Sequence, residues 1–293
     1  MELRDLRAYA ATVEAGAVTR AAERLHLVQS AVSQAVKRLE RELGVVLLER
    51  RPDGVRPTEA GSLFADHARL IVNAADHARR DMNAFRELAR GSVRVGVVYA
   101  AVPAVLAPLL RAAADTQPGI ELEVEEGLAT TLASRIRLGY LDLGIFFLPL
   151  DEHGLGVTEL ASLELGLLVP SGHRLARRAR VAVRDLRGET WVTFPRGNPG
   201  RAWLDETLAA ASSAPAAFVE VETLGAVKAF VEAGRGLALL PRGAVPGDGE
   251  GVAFVSLGPR SRAALVAATK VGEPSPAVHA VRELVEATVA ELA

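Results

Sequence analysis

Apolar residues in the first ninety positions recur at steps of three and four. Leu3, Leu6, Ala10 and Val13 keep that step, which predicts a first helix over residues 2–15. Residues 21–40, AAERLHLVQSAVSQAVKRLE, read as two short helices joined by a tight turn. At about 100° per residue, Val32, Val36, Leu39 and Leu43 share one arc of the second helix. Gln29, Ser30, Ser33, Gln34, Lys37 and Arg38 share the opposite one. Ala21 and Ala22 are small where two helices cross closely, and Leu25 and Leu27 are expected to fill the space beneath the turn. Residues 45–58, VVLLERRPDGVRPT, then read as an apolar strand, a Pro-Asp-Gly turn and a short return.

A second pattern follows over residues 58–90. Phe64, His67, Ile71, Ala74, Ala78, Met82, Phe85 and Ala89 form a stripe close to a 3.5-residue period, ended by Gly91. A long helix with so narrow an apolar seam lies against a partner helix or along its own domain. From Ser92 onward short apolar runs alternate with helical stretches. The runs are residues 93–98, 120–127, 142–147, 166–170, 191–194 and 236–241. That alternation predicts an α/β region with mostly parallel sheets.

The polar arc of the helix opening at Gln29 gives these elements a chemical meaning. Amides, hydroxyls and cations on one exposed helix face match the donors and acceptors of DNA's major groove, although a merely solvated face has the same spacing. Arg50, Arg51 and Arg56 on the hairpin are placed to meet flanking phosphates, contacts that position a protein without reading sequence. A formal net charge of −2 runs against a DNA partner when the whole chain is counted. Locally, Arg20, Arg24, Lys37, Arg38, Arg50, Arg51 and Arg56 sit on the proposed contact elements. The acids Glu2, Asp5 and Glu14 are expected on the first helix, away from them.

The chain has no cysteine, which excludes disulfides, thiolate metal sites and thiol-based sensing. Its six histidines are scattered, so no metal site and no cofactor are expected, and no P-loop, HExxH or GxSxG motif occurs. No apolar run is long enough to span a bilayer and no signal pattern opens the chain. A soluble, cytoplasmic protein without a membrane partner is expected.

Here the chain resembles the LysR-type transcriptional regulators. The matching residues are AAERL at 21–25, Gln29, AVS at 31–33, KRLERELG at 37–44, LLERR at 47–51 and PTEAG at 57–61. Further on they are Pro118, Gly139, Asp142 and VEAGRGLALLP at 231–241. Ala17 and Val28 depart from the family, which usually places a small hydroxyl residue at each of those helix starts. Ser30 stands where many members have proline. The resemblance implies a mixed α+β and α/β architecture: a winged helix-turn-helix over residues 1–58, a dimerising linker helix over 59–90 and a regulatory domain over 91–293. The last would be two-lobed like a periplasmic binding protein, with lobe I at 92–161 and 266–293 and lobe II at 162–265. It also implies double-stranded promoter DNA carrying an imperfect inverted repeat as partner, a dimer paired through the linker helix and a homotetramer.

A small-molecule effector would sit beyond the carboxyl ends of the strands, where helix starts offer free N–H groups. Backbone N–H groups near Ala100, Ala101, Thr130, Thr223 and Arg196 are expected to hold an acidic group, with Phe146, Phe147 and Tyr99 against an apolar part and Asn198 also at the site. Thr130 and Thr223 would serve equally well as helix caps, and Phe146 and Phe147 as core. Two other classes remain open. One is a DNA-binding repressor that needs no ligand. The other is an enzyme fused to a DNA-binding arm, for which the loops offer no histidine or cysteine and no catalytic residue is assigned.

Overall fold

The computed structural model describes residues 1–52, 54–86, 91–210, 212, 214–244 and 251–290. Side chains at 50, 77, 80, 81 and 83–86 lie outside the described set. The chain divides into two compact units, Met1–Leu88 with Leu138–Tyr140, and Ala89–Arg137 with Leu141–Ala293.

The first unit opens with α1 (Leu3–Ala15), α2 (Val18–Arg24) and α3 (Gln29–Leu43). Ala8, Ala11, Ala21, Ala22, Val32 and Ala35 form the contact where these helices meet, so alanines let the backbones approach closely. Neither Ala17 nor Val28 offers a side-chain cap, and α2 and α3 both begin without one. Gly16 and Gly44, both left-handed, end α1 and α3. Leu25 packs against the alanine contact, but Leu27 is half exposed, contrary to expectation. Leu43 is likewise exposed, at the frayed end of the apolar arc.

The hairpin pairs β1 (Leu48–Arg51) with β2 (Gly54–Pro57) antiparallel. Val45 and Val46 lie outside the strand and are exposed, so the expected apolar strand is shorter than its apolar run. The hairpin is fixed to the end of α1, because the Val55 N–H donates to the Gly16 carbonyl at 2.9 Å. Then α4 (Glu59–Arg86) begins at a capped start: the Gly61 N–H donates to Thr58 Oγ1 at 2.9 Å. Gly61 is required by closeness, since a Cβ there would stand 2.0 Å from the Leu47 carbonyl oxygen. Tyr9 donates to the Gly61 carbonyl at 2.7 Å, and Leu6, Tyr9, Val36, Leu39, Leu47, Ala65 and Ala68 close the second core around that bond.

Of the predicted seam on α4, Phe64 turns inward and packs on Tyr9 with ring centroids 5.3 Å apart. His67, Ile71, Ala74, Ala78 and Met82 are exposed, as is Leu63, which the stripe had omitted. The Phe85 side chain and Ala89 fall outside the described residues, as does the predicted last turn of the linker helix; Gly91 is the first residue of the next strand.

The second unit contains β3 (Gly91–Val98), α5 (Val102–Thr116), β4 (Ile120–Gly127), α6 (Ala129–Arg137), β5 (Leu143–Phe147) and the long β6 (Leu155–Pro170). A 3-10 turn at Val183–Leu186 precedes β7 (Thr190–Thr193), α7 (Pro199–Ala210), β8 (Ala217–Glu220) and α8 (Leu224–Glu232). The last elements are β9 (Ala238–Pro241), β10 (Val252–Ser256), β11 (Arg262–Lys270) and α9 (Pro276–Ala290). The main sheet runs β10-β6-β11-β5-β3-β4, with β9 also paired to β6. Among the described strands, the β4-β3-β5 and β7-β8 pairings are parallel and the others antiparallel. The expectation of mostly parallel sheets is therefore corrected to mixed ones. The physical reason is β6, which pairs antiparallel with β11 along its first part and with β9 and β10 along its last. It thus carries the chain from one hydrophobic core to the other.

Asp142 fixes the start of β5. Its carboxylate accepts from the Arg94 backbone N–H at 2.9 Å and from the Arg94 guanidinium at 3.0 and 3.1 Å. The smaller core gathers Leu168, Val192, Phe194, Val227, Val231 and Leu240 between β6, β7, β9 and α8.

Candidate nucleic-acid interface and ligand cleft

The outer face of α3 presents Gln29, Ser30, Gln34 and Lys37 exposed, with Ser33 half buried beside them. Val32, Val36 and Leu39 hold the opposite face in the core, so burial sets which side chains point outward. Lys37 has no ion-pair partner among the described residues. Arg38 differs. Its Nη2 donates to Asp5 Oδ1 at 2.6 Å and its Nε to Asp5 Oδ2 at 3.0 Å, a bidentate pair that ties α3 to α1. The expectation that Asp5 lies away from the contact helices is thereby corrected, and the Arg38 charge is largely answered within the chain. The hydrogen bond from Arg38 holds the Asp5 carboxyl below its usual value despite its burial.

Other nearby cations are also engaged. Arg24 pairs with Glu14 at 2.8 Å, which places that acid beside α2 rather than away from it. Arg20 donates to the Ala15 carbonyl at 2.9 Å, and Arg51 pairs with Glu49 at 3.2 Å. Arg56 is exposed on β2, and Arg50 sits on β1 with its side chain outside the described set. The positive surplus around α3 is therefore smaller than a count of arginines implies.

The second unit holds a cleft at the ends of β3, β4, β5 and β9. Tyr99, Phe147, Phe194 and Trp203 line it with Leu128 and Leu240, and Ala100 and Asn198 complete parts of the wall. Phe147 and Trp203 meet edge to face, their centroids 5.4 Å apart. Trp203 Nε1 donates to the Leu148 carbonyl at 2.8 Å, which leaves a cavity of about 30 Å³, room for little more than water. Beyond Asn198 and Pro199, which both spaces share, a bay of about 250 Å³ opens against Arg196, Gly197, Arg201 and Asp205.

The expected ligand residues separate into two groups. Tyr99, Ala100, Phe147 and Asn198 line the cleft, and Arg196 with Asn198 lines the bay. Ala101 is fully buried and its N–H is already donated to Val98 at 2.8 Å. Phe146 is enclosed in the main core, outside the cleft lining. Thr223 caps α8 by accepting from the Ala226 N–H at 3.2 Å, and Thr130 is exposed on α6 outside both linings. The sequence reading missed Phe194, Trp203 and Leu240. Phe194 ended one predicted strand and Leu240 stood next to last in another, and those positions were the available signal.

The residues of both units match known models. Residues 3–62 match the bacterial regulatory helix-turn-helix protein, lysR family, and residues 86–290 match the LysR substrate binding domain. The chain belongs to the LysR family of transcriptional regulators. It is 28% identical to the HTH-type transcriptional regulator CysL of Bacillus subtilis, over 83% of this chain and 81% of that one. It is 32% identical to the transcriptional dual regulator GltC of the same organism, over 82% and 81%. Among solved structures, full-length CbnR complexed with its target DNA is similar at a TM-score of 0.75 and 25% identity, covering 98% of this chain and 100% of that one.

This regulator therefore pairs a DNA-binding helix-turn-helix with an effector-binding domain, and it is not an enzyme. No group of three or more metal-ligating side chains occurs among the described residues. No described helix is long and apolar enough to cross a membrane.

Proposed function

We propose that this regulator binds an imperfect inverted repeat in promoter DNA as a dimer, with α3 of each copy in a major groove and the hairpin against flanking phosphates. Gln29, Ser30, Ser33, Gln34 and Lys37 read base edges in this account, while Arg50, Arg51 and Arg56 touch the backbone. The observation that carries it is the exposed amide, hydroxyl and ammonium face of α3, in a unit whose hairpin carries Arg50, Arg51 and Arg56. Arg38 serves mainly to orient α3 through Asp5.

Pairing runs through α4. Leu63, His67, Ile71, Ala74, Ala78 and Met82 leave an exposed, largely apolar arc along it, and such an arc is buried by a second helix. Two dimers then form a tetramer, and the protein works in the cytoplasm, where its DNA is. The cleft of the second unit receives a small, acidic metabolite through Tyr99, Ala100, Phe147, Arg196 and Asn198. Since only about 30 Å³ is open, the effector must bind one degree of lobe closure more tightly than another to act. Ala101, Thr130, Phe146 and Thr223 shape the surrounding elements and do not touch it.

Footprinting the full-length protein on the intergenic DNA upstream of its own gene tests the reading. Protection of two half-sites separated by whole helical turns is expected, with a pattern that changes when effector is present. Absence of protection there, at low salt and with a dimeric protein, would overturn it. The nearly filled cleft also favours a second reading, a repressor that needs no ligand; a footprint indifferent to every small acid tried would select it.

A further inference from the structure

The cleft and its neighbouring bay differ sharply in chemistry, and they adjoin at Asn198 and Pro199. No charged side chain among the described residues lines the cleft. Four of the chain's eight Phe, two Trp and three Tyr converge on it. Its few polar groups are mostly committed: Asn198 Oδ1 accepts from the Gly200 N–H at 2.9 Å, and Trp203 Nε1 serves Leu148. Among the lining side chains an anion would find only the Tyr99 hydroxyl and one amide donor, so apart from the backbone N–H groups at the start of α6 its desolvation goes unanswered. A flat uncharged ring, by contrast, can replace the Phe147–Trp203 contact with stacked or edge-to-face contacts of its own.

The bay carries the opposite character. Arg201 is buried there, and its charge is answered by Asp205 at 2.9 Å and Glu220 at 2.6 Å. The Phe218 ring covers its guanidinium at 4.4 Å. Arg196 is exposed and has no ion-pair partner among the described residues. It is the cation in that bay available to a ligand.

We propose that the effector is a compact ring-bearing monoanion whose uncharged planar body enters by parting Phe147 and Trp203, since the closed cleft of about 30 Å³ holds little more than water, with its single anionic group in the bay beside Arg196. This rests on the reading of the cleft as the effector site and narrows the ligand class within it. Dicarboxylates are disfavoured, because no charged side chain among the described residues lining the cleft meets a second charge.

Three probes of similar length separate the alternatives on the full-length protein: phenylacetate, its neutral amide phenylacetamide, and glutarate. Binding is read by calorimetry and by tryptophan emission, in which Trp203 reports on the cleft and fully buried Trp191 does not. Phenylacetate is expected to bind saturably and to alter emission, with glutarate at least about tenfold weaker. Arg196→Gln should weaken phenylacetate by about tenfold and leave phenylacetamide unchanged. Leu128→Glu, at a half-exposed lining position, should weaken phenylacetate as well.

Glutarate binding as tight as phenylacetate, and lost in Leu128→Glu, would overturn the ligand class while leaving the cleft as the site. Phenylacetate binding untouched by both variants would overturn the class and the site together. No binding of either aromatic probe would overturn the proposal itself.

Discussion

Asp5 and Arg38 form a bidentate pair, with bonds of 2.6 and 3.0 Å, that clamps the recognition helix onto α1. The acid is buried and the guanidinium is half exposed, so the pair sets the helix direction while leaving α3 its outer face. Its pH dependence follows from the sign of the shift. The Asp5 carboxyl is held below its ordinary value of 3.8, chiefly by the Arg38 hydrogen bond. A lowered acid stabilises the fold fully above its unfolded pKa and loses that contribution as pH falls through the folded one. Thermal unfolding of wild type and Asp5→Asn should therefore differ at pH 7, with the gap beginning to narrow below about pH 4 and closing as pH falls through the folded pKa. A constant gap across that range would contradict the role given to the pair.

Gly61 explains the glycine of the PTEAG stretch. A methyl group there would press into the Leu47 carbonyl and the Tyr9 hydroxyl, at 2.0 and 3.0 Å. Gly61→Ala should destabilise the first unit by at least about 1–3 kcal/mol. Denaturant unfolding of the two proteins measures it.

Helix α3 begins at Val28, an exposed residue that caps nothing. Val28→Ser supplies the missing acceptor and should add about 0.5–1 kcal/mol of stability. A melting temperature that falls on this substitution would show that the start of α3 has no free N–H to satisfy.

Thr223 distinguishes capping from ligand contact. Thr223→Ala removes the bond to the Ala226 N–H and should cost about 1 kcal/mol, while the affinity for any effector stays the same. Unfolding curves and ligand titrations on the same sample separate the two effects.

Helical spacing in the first unit was legible because each helix there is amphipathic and shares a small core. The alanines at 21 and 22, the polar arc from Gln29 and the hairpin all lie where periodicity places them. The Asp5–Arg38 pair was not legible, since the two residues are far apart in sequence and each alone looks like surface charge. Phe64 and Leu63 exchanged places because neighbours on a helix differ by about 100°, and only the position of Tyr9 decides which one is buried. In the second unit the strands β8, β10 and β11 and the first half of β6 were missed. Their alternating or short apolar patterns resemble loops until a neighbouring strand covers them. Phe146 and Phe147 show the same limit. Adjacent strand residues face opposite sides, and the sequence does not say which side holds the cleft.

The central claim is that the outward face of α3 reads DNA. Fluorescence anisotropy of full-length protein on footprinted operator DNA and on a scrambled duplex tests it, with the triple variant Gln29→Ala, Ser33→Ala, Lys37→Ala beside wild type. The account predicts that the variant folds with unchanged helix content and loses operator preference, each good base contact being worth about 1–3 kcal/mol. Unchanged operator affinity and unchanged preference over scrambled DNA would contradict it.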